Sequence, residues 1–154
     1  MPVALIEFDN TLANTVATIS KINRYRSHKV SVNSMDDFAM SKLDFNAYIL
    51  VMIYQLRQRG YGIDIYNRRK SSDPNGKLVK NWLDKKEIYY DNIHVLNKND
   101  SMIGAVRGYT YLISTSIHDA VELHKYSMLS SATIINTVIN NKSKLPYYCN
   151  RLYL

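Results

Sequence analysis

The chain has 154 residues, 46% of them apolar and 21% charged, with a single cysteine. That composition is globular rather than disordered and excludes an intrachain disulfide scaffold. Lys and Arg outnumber Asp and Glu by 20 to 13, a net charge of +7, which points to an anionic partner and says nothing of fold. Four histidines and Cys149 form no zinc-ligand spacing. The longest apolar run, 47–54, is far short of the roughly 20 residues of a membrane-spanning helix. Glu7 and Asp9 interrupt the apolar start too early for a signal peptide. A cytoplasmic protein without membrane contact is expected. The Asn, Lys, Ile and Tyr bias matches AT-rich coding, as in low-GC bacteria and their phages.

In chain order, Val3 to Phe8 is an apolar run that ends in a polar turn, which predicts a buried strand. Ala13 to Arg24 carries Val16, Ile19 and Ile22 at helical spacing, with Asn14 or Thr11 as cap. Arg26 to Asp37 is polar and turn-rich. Phe45, Tyr48, Ile49, Met52, Ile53 and Leu56 then recur at helical period, and Gly60 fits the stop. Tyr61 to Tyr66 predicts a second strand, and Asn67 to Asn75 a basic loop. Asp73-Pro74 is an N-cap signal for a helix to Lys86 with Leu78, Val79, Trp82 and Leu83 inward. Asn92 to Leu96 predicts a third strand, Asp100 to Arg107 a short helix, and Tyr109 to Ile113 a fourth strand. Ser116 caps a helix to about Tyr126, and Thr133 to Ile139 predicts a fifth strand. Residues 146–154 form an aromatic tail with no assigned role. Alternating strands and helices predict one α/β domain over 1–154, a doubly wound, mostly parallel sheet.

In such a fold, sites form in the loops after the strands' carboxyl ends. Four of these loops carry Glu7-Phe8-Asp9-Asn10-Thr11-Leu12, Tyr66-Asn67-Arg68-Arg69, Lys98 and Ser114-Thr115-Ser116. Their order and spacing resemble the haloacid dehalogenase superfamily of phosphohydrolases, and the short chain looks most like its small 5′-nucleotidase-like members. The resemblance covers about residues 3–125. It rests on the first loop, which stands where the family has Asp-x-Asp-x-Thr-Leu, and on Lys98 before a predicted helix. Lys80-Asn81-Trp82-Leu83 and Tyr90-Asp91-Asn92-Ile93 match the framework between motifs. Ser114-Thr115-Ser116-Ile117-His118-Asp119-Ala120 stands where the family has paired acids.

The resemblance implies a minimal or absent cap and an aspartyl-phosphate chemistry. An Asp nucleophile and a second Asp as general acid and base work with Mg²⁺ on a phosphate held by Thr/Ser and Lys. The matched positions are Glu7, Asp9, Thr11 and Lys98. Glu7 stands at the nucleophile with its carboxylate about 1 Å further out, worth on the order of 10²-fold in rate. Tyr66 replaces a small hydroxyl residue. Ser114 and Thr115 replace the metal-binding acids, which predicts severely weakened Mg²⁺ binding. Asp119 is a candidate replacement ligand.

From Arg57 to Lys86 there are nine basic residues against Asp64, Asp73 and Asp84, so this segment holds six of the chain's seven net charges. Lys77, Lys80 and Lys85 need only face water. Arg68, Arg69 and Lys70, beside Tyr66, follow the second strand at the site mouth and are candidate binding residues for phosphate or an anionic surface. The expectation is a phosphatase-like fold without phosphatase activity or cofactor. It would act as a binding protein for a host or cellular macromolecule, a protein rather than a nucleic acid, as a phage protein modulating its host would. The alternatives are an active Mg²⁺-dependent nucleotide phosphohydrolase using Glu7 or Asp9, and a nucleic-acid binder using the basic segment.

Overall fold

The computed structural model describes residues 1–102, 108–136 and 145–154. Six strands form one sheet in the order β3-β2-β1-β4-β5-β6, every pair parallel. They are β1 (Val3–Glu7), β2 (Gly62–Asn67), β3 (Asn92–Val95), β4 (Tyr111–Ser114), β5 (Ser131–Ile135) and β6 (Cys149–Leu152). The helices are α1 (Thr15–Asn23), α2 (Asp37–Ser41), α3 (Ala47–Gln58), α4 (Lys77–Lys85) and α5 (Ile117–Tyr126).

Side chains alternate across each strand, so a sheet covered on both faces needs apolar residues at consecutive positions. β1 shows this directly. Ala4 and Ile6 pack with Ile63, Ile65 and Ile113 against Ile49 and Ile53 of α3 and Val79, Trp82 and Leu83 of α4. Leu5 points the other way, joining Leu112, Ala132 and Ile134 against Ala120 and Leu123 of α5. Each large apolar side chain buried this way contributes about 1.5–3 kcal/mol. Trp82 is fixed twice: it meets the Phe8 ring edge-on at 5.2 Å and donates Nε1–H to the Leu43 carbonyl at 3.1 Å.

The predicted α/β class and parallel sheet hold, and most elements fall within a few residues of their expected bounds. Three local features differ. Asp37–Ser41 is helical between the turn-rich stretch that ends at Asp37 and the helix expected from Phe45, where the sequence predicts no element; Asp36 caps it through the Ala39 N–H at 2.8 Å. At α4 the cap position belongs to Gly76, at φ +67°. Asp73 instead reaches over the turn to accept from the Leu78 N–H. The aromatic tail supplies β6, parallel to β5 from Ala132↔Cys149 to Ile135↔Leu152. Most of the helix expected over 100–107 and the end of the fifth strand beyond 136 lie outside the described residues. No helix among the described residues is long and apolar enough to cross a membrane.

Candidate functional site

β1 and β4 are adjacent at the centre of the sheet, so their carboxyl ends bring Glu7, Ser114 and Thr115 together. The chain turns sharply after Phe8, with Asn10 at φ +60°. Asparagine tolerates this left-handed conformation better than most side chains. Backbone bonds from Leu12 to Glu7 (3.3 Å) and Ala13 to Phe8 (2.9 Å) close the turn and fold Thr11 back over the strand end.

Four donors converge on Glu7 Oε1. They are the Thr115 N–H (2.9 Å), Thr115 Oγ1 (2.7 Å), Thr11 Oγ1 (3.0 Å) and Ser114 Oγ (3.3 Å). Oε2 has no hydrogen-bond donor among the described residues. Burial pushes the Glu7 carboxyl above its ordinary range, against the lowering effect of the Thr115 and Thr11 bonds.

Asp9 is engaged differently. Its Oδ2 accepts from Arg69 Nε at 2.9 Å, and its Oδ1 from Arg69 Nη2 at 2.5 Å and Thr15 Oγ1 at 2.7 Å. Arg69 is only 1% exposed. Its guanidinium reaches the sulfurs of Met40 (3.1 Å) and Met35 (3.4 Å) and lies 5.4 Å from the Phe8 ring centroid.

A second closed network lies across the site. Tyr66 is buried, and its hydroxyl meets Ser114 Oγ and donates to Asp119 Oδ2, both at 2.8 Å. Burial first, then the charges of Glu7 and Asp119, holds the phenol well above its ordinary range. Arg68 Nη2 takes the other Asp119 oxygen at 2.9 Å, while its Nη1 donates to the carbonyls of Asp100 (2.8 Å) and Asn97 (3.2 Å). Of the four residues proposed from the sequence to line a basic mouth, Tyr66 and Arg69 are thus buried, and Arg68 is tied to Asp119. Lys70 is exposed.

Glu7, Asp9, Arg68 and Lys98 line one cavity of about 370 Å³. Asn67 also lines it, as do Ser31 and Asn33 from the segment between α1 and α2. Sequence reasoning passed over these three. Asn67 Oδ1 accepts from the Arg69 N–H at 2.9 Å, but the buried Nδ2 has no hydrogen-bond partner among the described residues. A buried amide donor without an acceptor costs about 1–3 kcal/mol, so Asn67 offers an unused donor to the cavity. The signal that could have found it is its place just after the second strand's end.

Mg²⁺ binds through one or two carboxylates in near-octahedral oxygen geometry. Here both oxygens of Asp9 accept from Arg69, and both of Asp119 are taken by Tyr66 and Arg68. A guanidinium beside each acid opposes a second cation. Glu7 Oε2 has no donor among the described residues, but burial favours the neutral form of this carboxyl. Among the described residues no three His, Cys, Asp or Glu side chains converge. As arranged, the donor set does not fit the cation.

No family model matches the chain, and the comparison with curated proteins found no match. Solved structures do match. One, from a Pnkp1/Rnl/Hen1 complex, aligns over 99% of this chain and 46% of its own, at 15% identity and a TM-score of 0.55. The chain therefore spans less than half of that polypeptide. The D,D-heptose 1,7-bisphosphate phosphatase from B. bronchiseptica, complexed with magnesium and phosphate, aligns over 99% of this chain and 92% of its own, at 11% identity and a TM-score of 0.57. A haloacid dehalogenase-like family hydrolase from Streptococcus pneumoniae aligns over 88% and 85%, at 10% identity and 0.54. The fold is that of the haloacid dehalogenase-like hydrolases. At these identities the likeness is one of fold.

Proposed function

We propose that the chain is a non-catalytic binding protein built on a haloacid dehalogenase-like fold. The observation that carries this is the buried, two-pronged contact of Arg69 on Asp9. Asp9 stands where the resemblance puts the general acid and base. A carboxylate held by two charge-assisted bonds and a third from Thr15 is turned to its own partners rather than to a substrate. Asp119, the candidate replacement metal ligand, is likewise committed to Arg68 and Tyr66. The former catalytic groups thereby act as internal braces, and recognition falls to the surface around them. The favoured partner is a protein, in a phage setting a host protein that the chain modulates. Burial of Arg69 and pairing of Arg68 reduce the charge that the basic segment can offer to nucleic acid.

A second reading, an Mg²⁺-dependent nucleotide phosphohydrolase, draws on one feature: the unengaged Oε2 of Glu7 beside Asn67 and Lys98 in the same cavity. One assay separates the two. Purified protein is incubated with Mg²⁺ and p-nitrophenyl phosphate or a nucleotide panel. The binding-protein reading expects no turnover that depends on these residues. Turnover abolished by Asp9→Asn overturns it. Affinity capture from a host lysate, with and without nuclease, then distinguishes a protein partner from a nucleic-acid bridge.

A further inference from the structure

We propose that the cleft between α1 and α2 is a second, separate ligand site, and that it takes a nucleoside monophosphate. The cleft has a volume of about 510 Å³ and shares no lining residue with the cavity at Glu7. That volume lies within the roughly 300–1,000 Å³ of sites that enclose one small molecule. It suits one nucleotide rather than a strand.

Its lining combines two chemistries. Lys21 and Arg26 come from the end of α1 and the residues just after it, and Lys42 follows α2. None of the three has a carboxylate within ion-pair distance among the described residues. Asp44 is the single acid in the lining, so the cleft carries an excess of two positive charges. A phosphate monoester carries about 1.5 to 2 negative charges at neutral pH. The match is close to neutral.

The second chemistry is aromatic. Phe38 is 52% exposed and Tyr25 90% exposed, although a phenyl ring gains by burial. The Arg26 guanidinium and the Lys42 ammonium stand 5.0 and 5.3 Å from the Phe38 ring centroid. Both cations lie over this ring, so a phosphate meets them beside aromatic surface, while the exposed Tyr25 ring offers the face on which a base stacks. Ile22 and the buried Thr18 add an apolar floor.

The walls are tied together through the backbone. Asn14 N–H donates to the Asp44 carbonyl at 2.9 Å and Asn46 N–H to the Leu12 carbonyl at 2.7 Å, beside a bridge from Ala13 to Phe45. The cleft is therefore built before any ligand arrives, which lowers the ordering cost of binding. None of this depends on whether the Glu7 cavity is catalytic.

The test is calorimetric titration of the full chain with AMP, adenosine, phenyl phosphate and inorganic phosphate, with amide NMR shifts locating the site. AMP is expected to bind. Adenosine and inorganic phosphate should bind at least about tenfold more weakly, since each lacks one of the two contacts. Phenyl phosphate should also be weaker, because its ring is smaller than a base. Shifts are expected at Thr18, Ile22 and Phe38. The double variant Arg26→Glu, Lys42→Glu should weaken AMP about tenfold or more without lowering Tm, as both side chains reach solvent. Tyr25→Ala should weaken AMP but leave phosphate affinity unchanged. Four results would each overturn the proposal. They are no AMP binding, shifts at Asn33 and Asn67 instead, an unaffected double variant, and phenyl phosphate binding as tightly as AMP.

Discussion

Arg69 and Asp9, 60 positions apart in the chain, face each other through two parallel hydrogen bonds, Nε to Oδ2 at 2.9 Å and Nη2 to Oδ1 at 2.5 Å. The pair joins the turn after β1 to the turn after β2 and is nearly out of water, with the Arg69 side chain 2% exposed and that of Asp9 16%. Its worth to stability depends on what replaces it. Arg69→Met leaves an unpaired, poorly hydrated carboxylate and should cost about 3 kcal/mol in urea unfolding. Met fits the space, which is already lined by Met35, Met40 and Phe8. The double variant Asp9→Leu, Arg69→Met should recover most of that loss and come within about 1 kcal/mol of the parent.

Glu7 predicts the opposite sign. Burial raises its folded carboxyl pKa above the ordinary 4.5. The unfolded chain therefore loses its proton first, and the ionised group costs stability as pH rises through that interval. Glu7→Gln keeps an oxygen for Thr11, Thr115 and Ser114 and carries no charge. Its unfolding free energy should exceed the parent's near pH 7, with the difference shrinking as pH falls from the folded pKa to the unfolded value and level below it. Matched urea titrations across pH 4 to 7, about the span over which a raised carboxyl titrates, measure it.

Asp64 behaves conventionally. Burial raises its pKa, but bonds from His94, Tyr109 and Asn92 more than offset this and hold it below the ordinary 3.8. Its contribution is present above the unfolded value and lost as pH falls through the lower, folded one. Asp64→Asn should cost about 1–3 kcal/mol near neutrality. The parent and variant curves should converge in acid.

Two glycines separate backbone strain from crowding. Gly60 has φ +86° with open space where a Cβ would stand, so Gly60→Ala should cost about 1 kcal/mol. At Gly76, φ +67°, a Cβ would lie 3.0 Å from Val95 Cγ2 and 3.3 Å from Ile93 Cγ2. Gly76→Ala should cost roughly 2 kcal/mol or more, since α4 would have to move off β3. Thermal unfolding of the two variants side by side checks the order.

Much of the fold was legible because long elements repeat their signal. The helical period from Phe45 to Leu56 and the burial of Val79, Trp82 and Leu83 need several turns to register, and α3 and α4 supply them. α2, with five residues, is too short for a period to emerge from its neighbours, and β6 carries the exposed Asn150 and Arg151 at its middle instead of an apolar run. The site divides on similar lines. The strand ends placed Glu7, Asp9 and Thr11 because the motif is contiguous. Arg69 sits in an Arg-Arg-Lys run that reads as an open, ligand-facing loop at the site mouth. Its burial is decided by a carboxylate on another strand's turn, and no local pattern carries that information. The same holds for Tyr66, whose hydroxyl is spoken for by Ser114 and Asp119.

The sheet order has a kinetic consequence. β1 meets β2 across 59 positions (Val3↔Gly62), and on its other side it pairs Ala4 with Tyr111 and Ile6 with Ile113, a seam between segments 107 positions apart. The longer loop costs under about 1 kcal/mol more to close, but both pairings are non-local, and such topology slows folding. Glu7 Oε1, bonded to Thr115 through both amide and hydroxyl, lies at the end of that seam. Glu7 works here as a latch that ties the end of β1 to the turn after β4.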